Sequence, residues 1–167
     1  HLPYKGVQLT TAGRRAALRM VRRHRLIEAY LVEFLGYSWD TVHQEAERLE
    51  HAVSDTLVER MAAALGHPSV DPHGDPIPTA DGAIEELAST PLATLEVGDT
   101  AEIVRVHESD SERLRYLATL GLRPGVVVKV LDRQPFSGPV TIETHGEVQV
   151  IGQALAQVLL CAVGARR

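Results

Sequence analysis

Val42-His43-Gln44-Glu45-Ala46-Glu47-Arg48-Leu49-Glu50-His51 is the stretch on which the reading of this chain turns. At the helical advance of about 100° per residue, Val42, Ala46, Leu49 and Val53 form one apolar stripe. His43, Glu47, Glu50 and His51 form a second stripe directly beside it. Glu47 stands three or four residues from each of the other three, so the four side chains are within mutual reach. Carboxylates crowded together repel unless a cation joins them, and a divalent ion meets that need.

The segment upstream repeats the signal. His24 and Glu28 are four residues apart and share a helical stripe with Ile27, Leu31 and Leu35. Ionisable groups on a core-facing stripe need a partner. A metal shared with His43 of the next helix would serve both segments. The competing reading is that each His–Glu pair is an ordinary surface hydrogen bond and that Glu47 and Glu50 pair with Arg48 or another basic neighbour. Six nitrogen and oxygen ligand types beside apolar stripes on two adjacent helices weigh towards metal.

Around these helices the pattern is clear. Thr10 or Thr11 caps a helix that Gly36 stops; Asp40 or Thr41 caps a second running to about residue 52; Ser54 or Asp55 caps a third that ends at Gly66. A stretch rich in Pro, Gly and Asp follows, Asp71-Pro72-His73-Gly74-Asp75-Pro76-Ile77-Pro78, in which His67 and His73 read as turn residues. A short helix is expected near 81–88. From Pro91 the apolar period drops from 3.6 to 2. Strands are expected at 101–107, 126–131, 139–143, 147–151 and 157–163, with a helix at 111–120. Five short strands and one helix predict a small SH3-like barrel. The fold class is therefore α+β: residues 10–78 a helical metal-binding and dimerisation domain, 79–95 a linker, and 96–167 the SH3-like domain. The helical stripes are too extensive for three helices to bury alone, so a homodimer is expected.

Composition narrows the function. The apolar share is 44% with only 4% aromatic residues, so aliphatic side chains must fill the core. No run is long and apolar enough for a membrane span, so no membrane partner is expected. The single cysteine, Cys161, sits in an apolar run and reads as a buried thiol in a reducing cytoplasm. It also rules out a Cys-rich zinc site. Phosphate-binding glycine loops and a nucleophile elbow are absent. Net charge is −5, yet residues 1–25 hold seven of the 17 basic residues and no acidic one. A basic end on an acidic body suits phosphate contact at one edge.

In combination, Arg22-Arg23-His24-Arg25-Leu26-Ile27-Glu28, Val42-His43-x-x-Ala46-x-x-x-Glu50-His51-x-x-Ser54-Asp55 and the 71–78 turn resemble the diphtheria toxin repressor family of iron- and manganese-dependent regulators. The resemblance runs through essentially the whole chain. It implies a metal-dependent transcriptional repressor with manganese, alternatively iron, as corepressor. Zinc or cadmium would substitute in vitro. By the same resemblance His24, Glu28 and His43 match an ancillary metal site, and Glu47, Glu50 and His51 a primary one. Glu47 stands where iron-responsive members carry Cys. Ligands from the SH3-like domain do not align cleanly, with Glu108 and Asp110 the weak candidates. Residues 1–9 look like the remnant of a winged-helix wing, with Tyr4 and Lys5 offering phosphate contacts. Operator DNA would then be read by residues preceding this sequence. An enzyme is not expected: a carboxylate-bridged metalloenzyme bundle would carry Glu-x-x-His pairs, and none occurs here. A metal-binding or metal-free interaction module is the remaining alternative.

Overall fold

The computed structural model describes residues 8–164. Three helices open the chain: α1 (Thr11–Leu35), α2 (Val42–Glu50) and α3 (Asp55–Ala64). Thr10 caps α1 by accepting from the Gly13 N–H, and Ser54 caps α3 by accepting from Leu57. Gly36 ends α1 at φ 70°, a left-handed conformation that a side chain would strain. Both α2 and α3 pack on α1, but on different sides of it. Ile27 and Leu31 meet Val42 and Ala46 of α2, while Leu26 meets Val58 and Ala62 of α3 together with Ile77. These clusters are small, and Phe34, Leu35 and Leu57 remain exposed.

Three of the N-terminal arginines act as clamps for this packing. Arg22 binds Glu59 and the Pro78 carbonyl. Arg23 binds the Glu50 and Val53 carbonyls and Asp55. Arg25 binds the Pro76 carbonyl and Asp75. Their charge is thus spent on helix ends and on the 75–78 turn.

A six-stranded, wholly antiparallel sheet follows, in the order β1-β6-β2-β3-β4-β5. Its strands are β1 (Thr90–Pro91), β2 (Thr100–Val106), β3 (Val127–Arg133), β4 (Val140–Thr144), β5 (Glu147–Ile151) and β6 (Leu159–Val163). Helix α4 (Ser111–Thr119) lies between β2 and β3, and α5 (Gln153–Val158) between β5 and β6. The alternation in β2, β3 and β4 buries Ala101, Ile103, Val106, Val128, Val130, Val140 and Ile142 in one core with Leu92, Leu114, Leu117 and Leu159. Between β4 and β5, His145 and Gly146 both take positive φ, as a two-residue hairpin turn of the primed kind requires. This is the α+β, SH3-like architecture expected from the pattern.

Local expectations fail at three places. The helix expected near 81–88 is absent; Thr79 instead folds a turn onto Asp81 and Ala83. Residues expected as linker include β1 and a 3-10 turn at Leu92–Thr94, because Leu92 and Ala93 are needed to fill the sheet's core. Finally, the first residues of the expected last strand belong to α5, where Ala156 is buried. Of the expected wing remnant, residues 1–7, Tyr4 and Lys5 among them, lie outside the described residues, and residues 8–9 lead into α1 without regular structure.

Helices and sheet share a seam. Trp39, in the loop between α1 and α2, is 5% exposed and belongs to the sheet's core. Arg123 lies over its ring, and its Nε1 donates to the Pro72 carbonyl at 3.0 Å. The Val106 N–H donates to the His73 carbonyl at 2.8 Å. Beside it, a Cβ on Gly74 would lie 2.0 Å from the Val104 carbonyl oxygen, so only glycine fits. Arg105 binds Asp75, and Arg115 of α4 binds Asp40 at 2.9 Å.

Candidate metal centre

At the middle of α1, Glu28 is 2% exposed. Its Oε1 lies 3.0 Å from His24 Nε2 and 3.0 Å from His43 Nδ1, and those two nitrogens are themselves 3.0 Å apart. Helical spacing places His24 one turn before Glu28, and the packing of Val42 and Ala46 against Ile27 brings His43 over from α2. The chemistry of this triangle follows from the atom next to it. Glu50 Oε2 is 2.7 Å from His24 Nδ1, and a carboxylate only accepts, so Nδ1 carries the proton. In neutral His24 the lone pair of Nε2 then points into the triangle, against a carboxylate oxygen. Three electron-rich atoms in contact demand a proton or a metal ion.

The protonation states agree. Burial alone would lower the His24 pKa, but hydrogen bonds and charges from Glu28 and Glu50 outweigh it and raise the ring to about 8. For Glu28, burial works upward, while the bond and charge of His24, the charge of His73 and the bond of His43 hold it below its ordinary value. The donor spacing fits a particular coordination. With donors roughly 2.1 Å from an ion, neighbouring ligands stand about 3.0 Å apart in an octahedral site and about 3.4 Å apart in a tetrahedral one. The observed 3.0 Å is an ordinary hydrogen-bond spacing, and one face of an octahedron would accept the same three atoms without rearrangement. Mixed imidazole and carboxylate donors in that geometry suit a divalent first-row ion.

The other cluster read from the sequence is less gathered. Glu50 connects the two, with Oε1 3.3 Å from His51 Nε2. Glu47 Oε1 stands 3.6 Å from His43 Nε2 with its side chain 61% exposed, and the His51 side chain is 72% exposed. Among the described residues the ligand groupings that could hold an ion are His24–Glu28–His43 and Glu28–Asp71–His73; neither includes Glu47, Glu50 or His51. Glu108 and Asp110 fall in neither grouping. Asp110 caps α4 by accepting from the Glu112 and Arg113 N–H groups. Glu108 accepts from the Ser109 and Asp110 N–H groups and pairs with Arg113. Glu108 nonetheless lines the same cleft of about 320 Å³ as His24, Glu28 and His43.

Two residues in that cleft escaped the sequence reading as donors. Asp71 and His73 are 7% and 6% exposed. Burial first, then the charges of Asp75 and Glu28, pushes the Asp71 carboxyl up to about 7. The signal was the Asp-Pro-His-Gly-Asp turn itself, whose proline and glycine suggested an exposed loop. The neighbouring sheet buries it.

Residues 10–79 match the family model described as the iron dependent repressor metal binding and dimerisation domain, and residues 90–163 match the FeoA domain. A solved manganese-dependent transcriptional repressor in complex with manganese shares 45% identity at a TM-score of 0.91, over 96% of this chain and 76% of that one. This chain belongs to the diphtheria toxin repressor family. The diphtheria toxin repressor of Corynebacterium diphtheriae is 30% identical over 86% of this chain and 66% of its own length. The iron-dependent repressor IdeR of Mycobacterium leprae is 37% identical over 63% of this chain and 43% of its own. The chain thus spans less than half the length of the mycobacterial relatives it matches. Family membership gives the triangle its context, since it lies wholly inside the segment matched to a metal-binding domain.

Proposed function

We propose that this chain is the metal-sensing and dimer-forming part of a manganese-responsive transcriptional repressor that works as a cytoplasmic homodimer on operator DNA. The observation that carries the reading is the buried 3.0 Å triangle of His24, Glu28 and His43, three electron-rich atoms that only a shared proton or a metal ion can hold together. A bound divalent ion supplies the positive charge that these donors lack. The chain's own residues do the rest. Glu50 fixes the His24 ring so that Nε2 faces inward, Glu28 delivers a buried carboxylate from α1, and His43 closes the set from α2. Arg23 holds the end of α2 through the Glu50 carbonyl, keeping the two helices in register.

Manganese is preferred to iron on two grounds. Two related structures, at 45% and 46% identity, are named as manganese-dependent repressors. Glu47, Glu50 and His51 also offer hard oxygen and imidazole donors and no sulfur. Selectivity of this kind appears in function rather than raw affinity, because zinc and cadmium bind N/O sites more tightly than manganese in a tube; one further relative, ScaR, is solved both with bound Cd²⁺ and with bound Zn²⁺. Dimerisation is supported by the description of the matched helical domain and by exposed Phe34, Leu35 and Leu57 on otherwise small cores. Among the described residues, no helix is long and apolar enough to cross a membrane. The metalloenzyme alternative gains nothing, since the relatives are named as repressors.

The test is operator binding by the protein as encoded, measured anaerobically across Mn²⁺ and Fe²⁺, beside sedimentation of the chain with Mn²⁺ at tens of micromolar. Tighter operator binding with Mn²⁺ and a dimeric species are expected. Preference for Fe²⁺ defeats the manganese assignment, and a monomer defeats the dimer. Isolated from any DNA-reading element, the 8–164 segment is expected to show only salt-sensitive, sequence-blind DNA association.

A further inference from the structure

The sheet has two edges, and they are built differently. At one end β1 is only two residues long and the second is a proline, Thr90–Pro91. Shortness and proline are ordinary means of keeping other strands from adding to an edge. At the other end β5 runs for five residues, Glu147-Val148-Gln149-Val150-Ile151, with neither proline nor lysine. The β2–β6 and β3–β4 ladders each carry a register shift, whereas β4 and β5 pair without one from Thr144↔Glu147 to Val140↔Ile151. Among the described residues, β5 pairs with β4 alone and its other side is open.

The hairpin turn decides which backbone groups are open. His145 and Gly146, at φ 51° and 79°, form the primed turn in which the Thr144 carbonyl accepts from the Glu147 N–H. Hydrogen-bonded and non-hydrogen-bonded pairs alternate along an antiparallel ladder, so Glu147, Gln149 and Ile151 turn their N–H and C=O groups towards β4. Val148 and Val150 turn theirs outwards. The side chains of these same two valines share one face of the strand, and each residue is 64% exposed. Gln149 lies on the other face, where its side-chain N–H donates to the Leu120 carbonyl at 3.1 Å.

We propose that β5 docks on β5 of a second copy of this chain, joining repressor dimers to one another through a continuous antiparallel sheet. This rests on the reading of the helical region as the dimer interface. The strand is its own complement. With Gln149 opposite Gln149 of the second copy, Val148 of each copy meets Val150 of the other in a hydrogen-bonded pair, and every outward N–H finds a carbonyl. Four valines then form an apolar strip, flanked on each side by Thr141 and Glu143 of β4 as a polar margin. Glu147, the one charge on the strand, falls opposite Ile151 rather than another carboxylate. Any extended segment could use the open backbone groups; the matched valines favour a second copy.

Area sets what this contact does. Stable complexes bury about 1,200–2,000 Å² in total, more than two five-residue edges cover. The edge therefore adds to an existing dimer instead of holding two separate chains together. It acts where dimers are crowded, as on neighbouring DNA sites, and effective concentration is high.

The experiment is sedimentation of the Mn²⁺-loaded full chain up to hundreds of micromolar, beside Val150→Pro and Gln149→Cys, each checked for fold by circular dichroism. Val150→Pro removes a donor that faces away from β4, so the β4–β5 ladder stays whole. Parent dimers are expected to associate further as concentration rises. Val150→Pro loses one donor from each copy and should need about tenfold more protein to do so. In Gln149→Cys the two thiols meet at a non-hydrogen-bonded pair, with Cα atoms roughly 4.5 Å apart and within disulfide reach. Mild oxidation should crosslink two chains of this variant and none of the parent, whose Cys161 is buried. Parent dimers that associate no further, with no crosslink in Gln149→Cys, overturn the proposal and leave the edge to a different extended partner. Association that Val150→Pro leaves unchanged also overturns it, placing the contact elsewhere. A parent that sediments as a monomer overturns the helical dimer instead; the crosslink, which needs only two chains, then decides the edge by itself.

Discussion

The two histidine–carboxylate clusters of the helical region use the same residue types at the same helical spacings, and the fold treats them differently. His24, Glu28 and His43 converge from two helices onto atoms 3.0 Å apart, around a glutamate that is 2% exposed. Glu47 and His51 lie on one face of α2 and its C-terminal end, mostly in water, joined to the first cluster only through Glu50 and His43. Spacing on a single helix brings side chains within reach; a second, packed helix forces them together and removes the water that would otherwise satisfy them.

The difference can be broken most severely at Glu28. Glu28→Ala removes the oxygen that both histidine nitrogens approach at 3.0 Å. Its Mn²⁺ affinity, read by calorimetry, should fall by more than the ~10–100-fold typical of losing a group that merely supports a ligand. A loss within that range would mean that Glu28 is not a ligand.

Next come His24 and Glu50, which separate a ligand from its support. His24→Ala should weaken Mn²⁺ binding by this chain more than Glu50→Ala does. Glu50→Ala leaves the triangle in place but frees the His24 ring, for an expected loss of about 10–100-fold. The reverse order would transfer the site to the Glu50–His51 side.

A smaller effect concerns pH in the metal-free chain. His24 titrates near 6.5 when unfolded and about 8 when folded, so its contribution to stability is full below about 6.5 and lost as pH rises through 8. Asp71 acts in the same direction, because its burial penalises the charged form up to about pH 7. The lowered Glu28 pKa contributes stability that is lost only in acid, below this window. Urea unfolding should therefore show the metal-free chain losing on the order of 1–2 kcal/mol between pH 6 and 8.5. Saturating Mn²⁺ should reverse the trend, since metal competes with the protons. Rising metal-free stability across that range would contradict the assigned protonation.

The least effect on binding by this chain is expected at Glu47, whose side chain is 61% exposed. Glu47→Ala should change Mn²⁺ affinity by less than about threefold, within the scatter of a surface substitution. Its weight should appear in selectivity instead: Glu47→Cys should shift operator binding by the protein as encoded towards Fe²⁺. If the ranking of the two metals is untouched, Glu47 does not select the metal.

Much of this organisation was legible in the chain. Thr10, Ser54 and Gly36 mark helix ends because their side chain, or its absence, acts on the backbone nearby. The switch of period after Pro91 marks the sheet, because alternation is a property of a strand's own residues. The His24–Glu28 pair and its neighbour His43 were also visible, since helical spacing and apolar stripes are local. Tertiary structure alone decided the rest. It made Leu92 and Ala93 core rather than linker, and it turned three basic residues into clamps. It also took the Asp71–Gly74 turn, which by composition belongs in solvent, and buried it between α1 and β2, where His73 faces Glu28 across 4.0 Å. Local sequence fixes which atoms a residue offers. Burial and convergence depend on segments tens of residues apart, and these decide which of those atoms lack a partner.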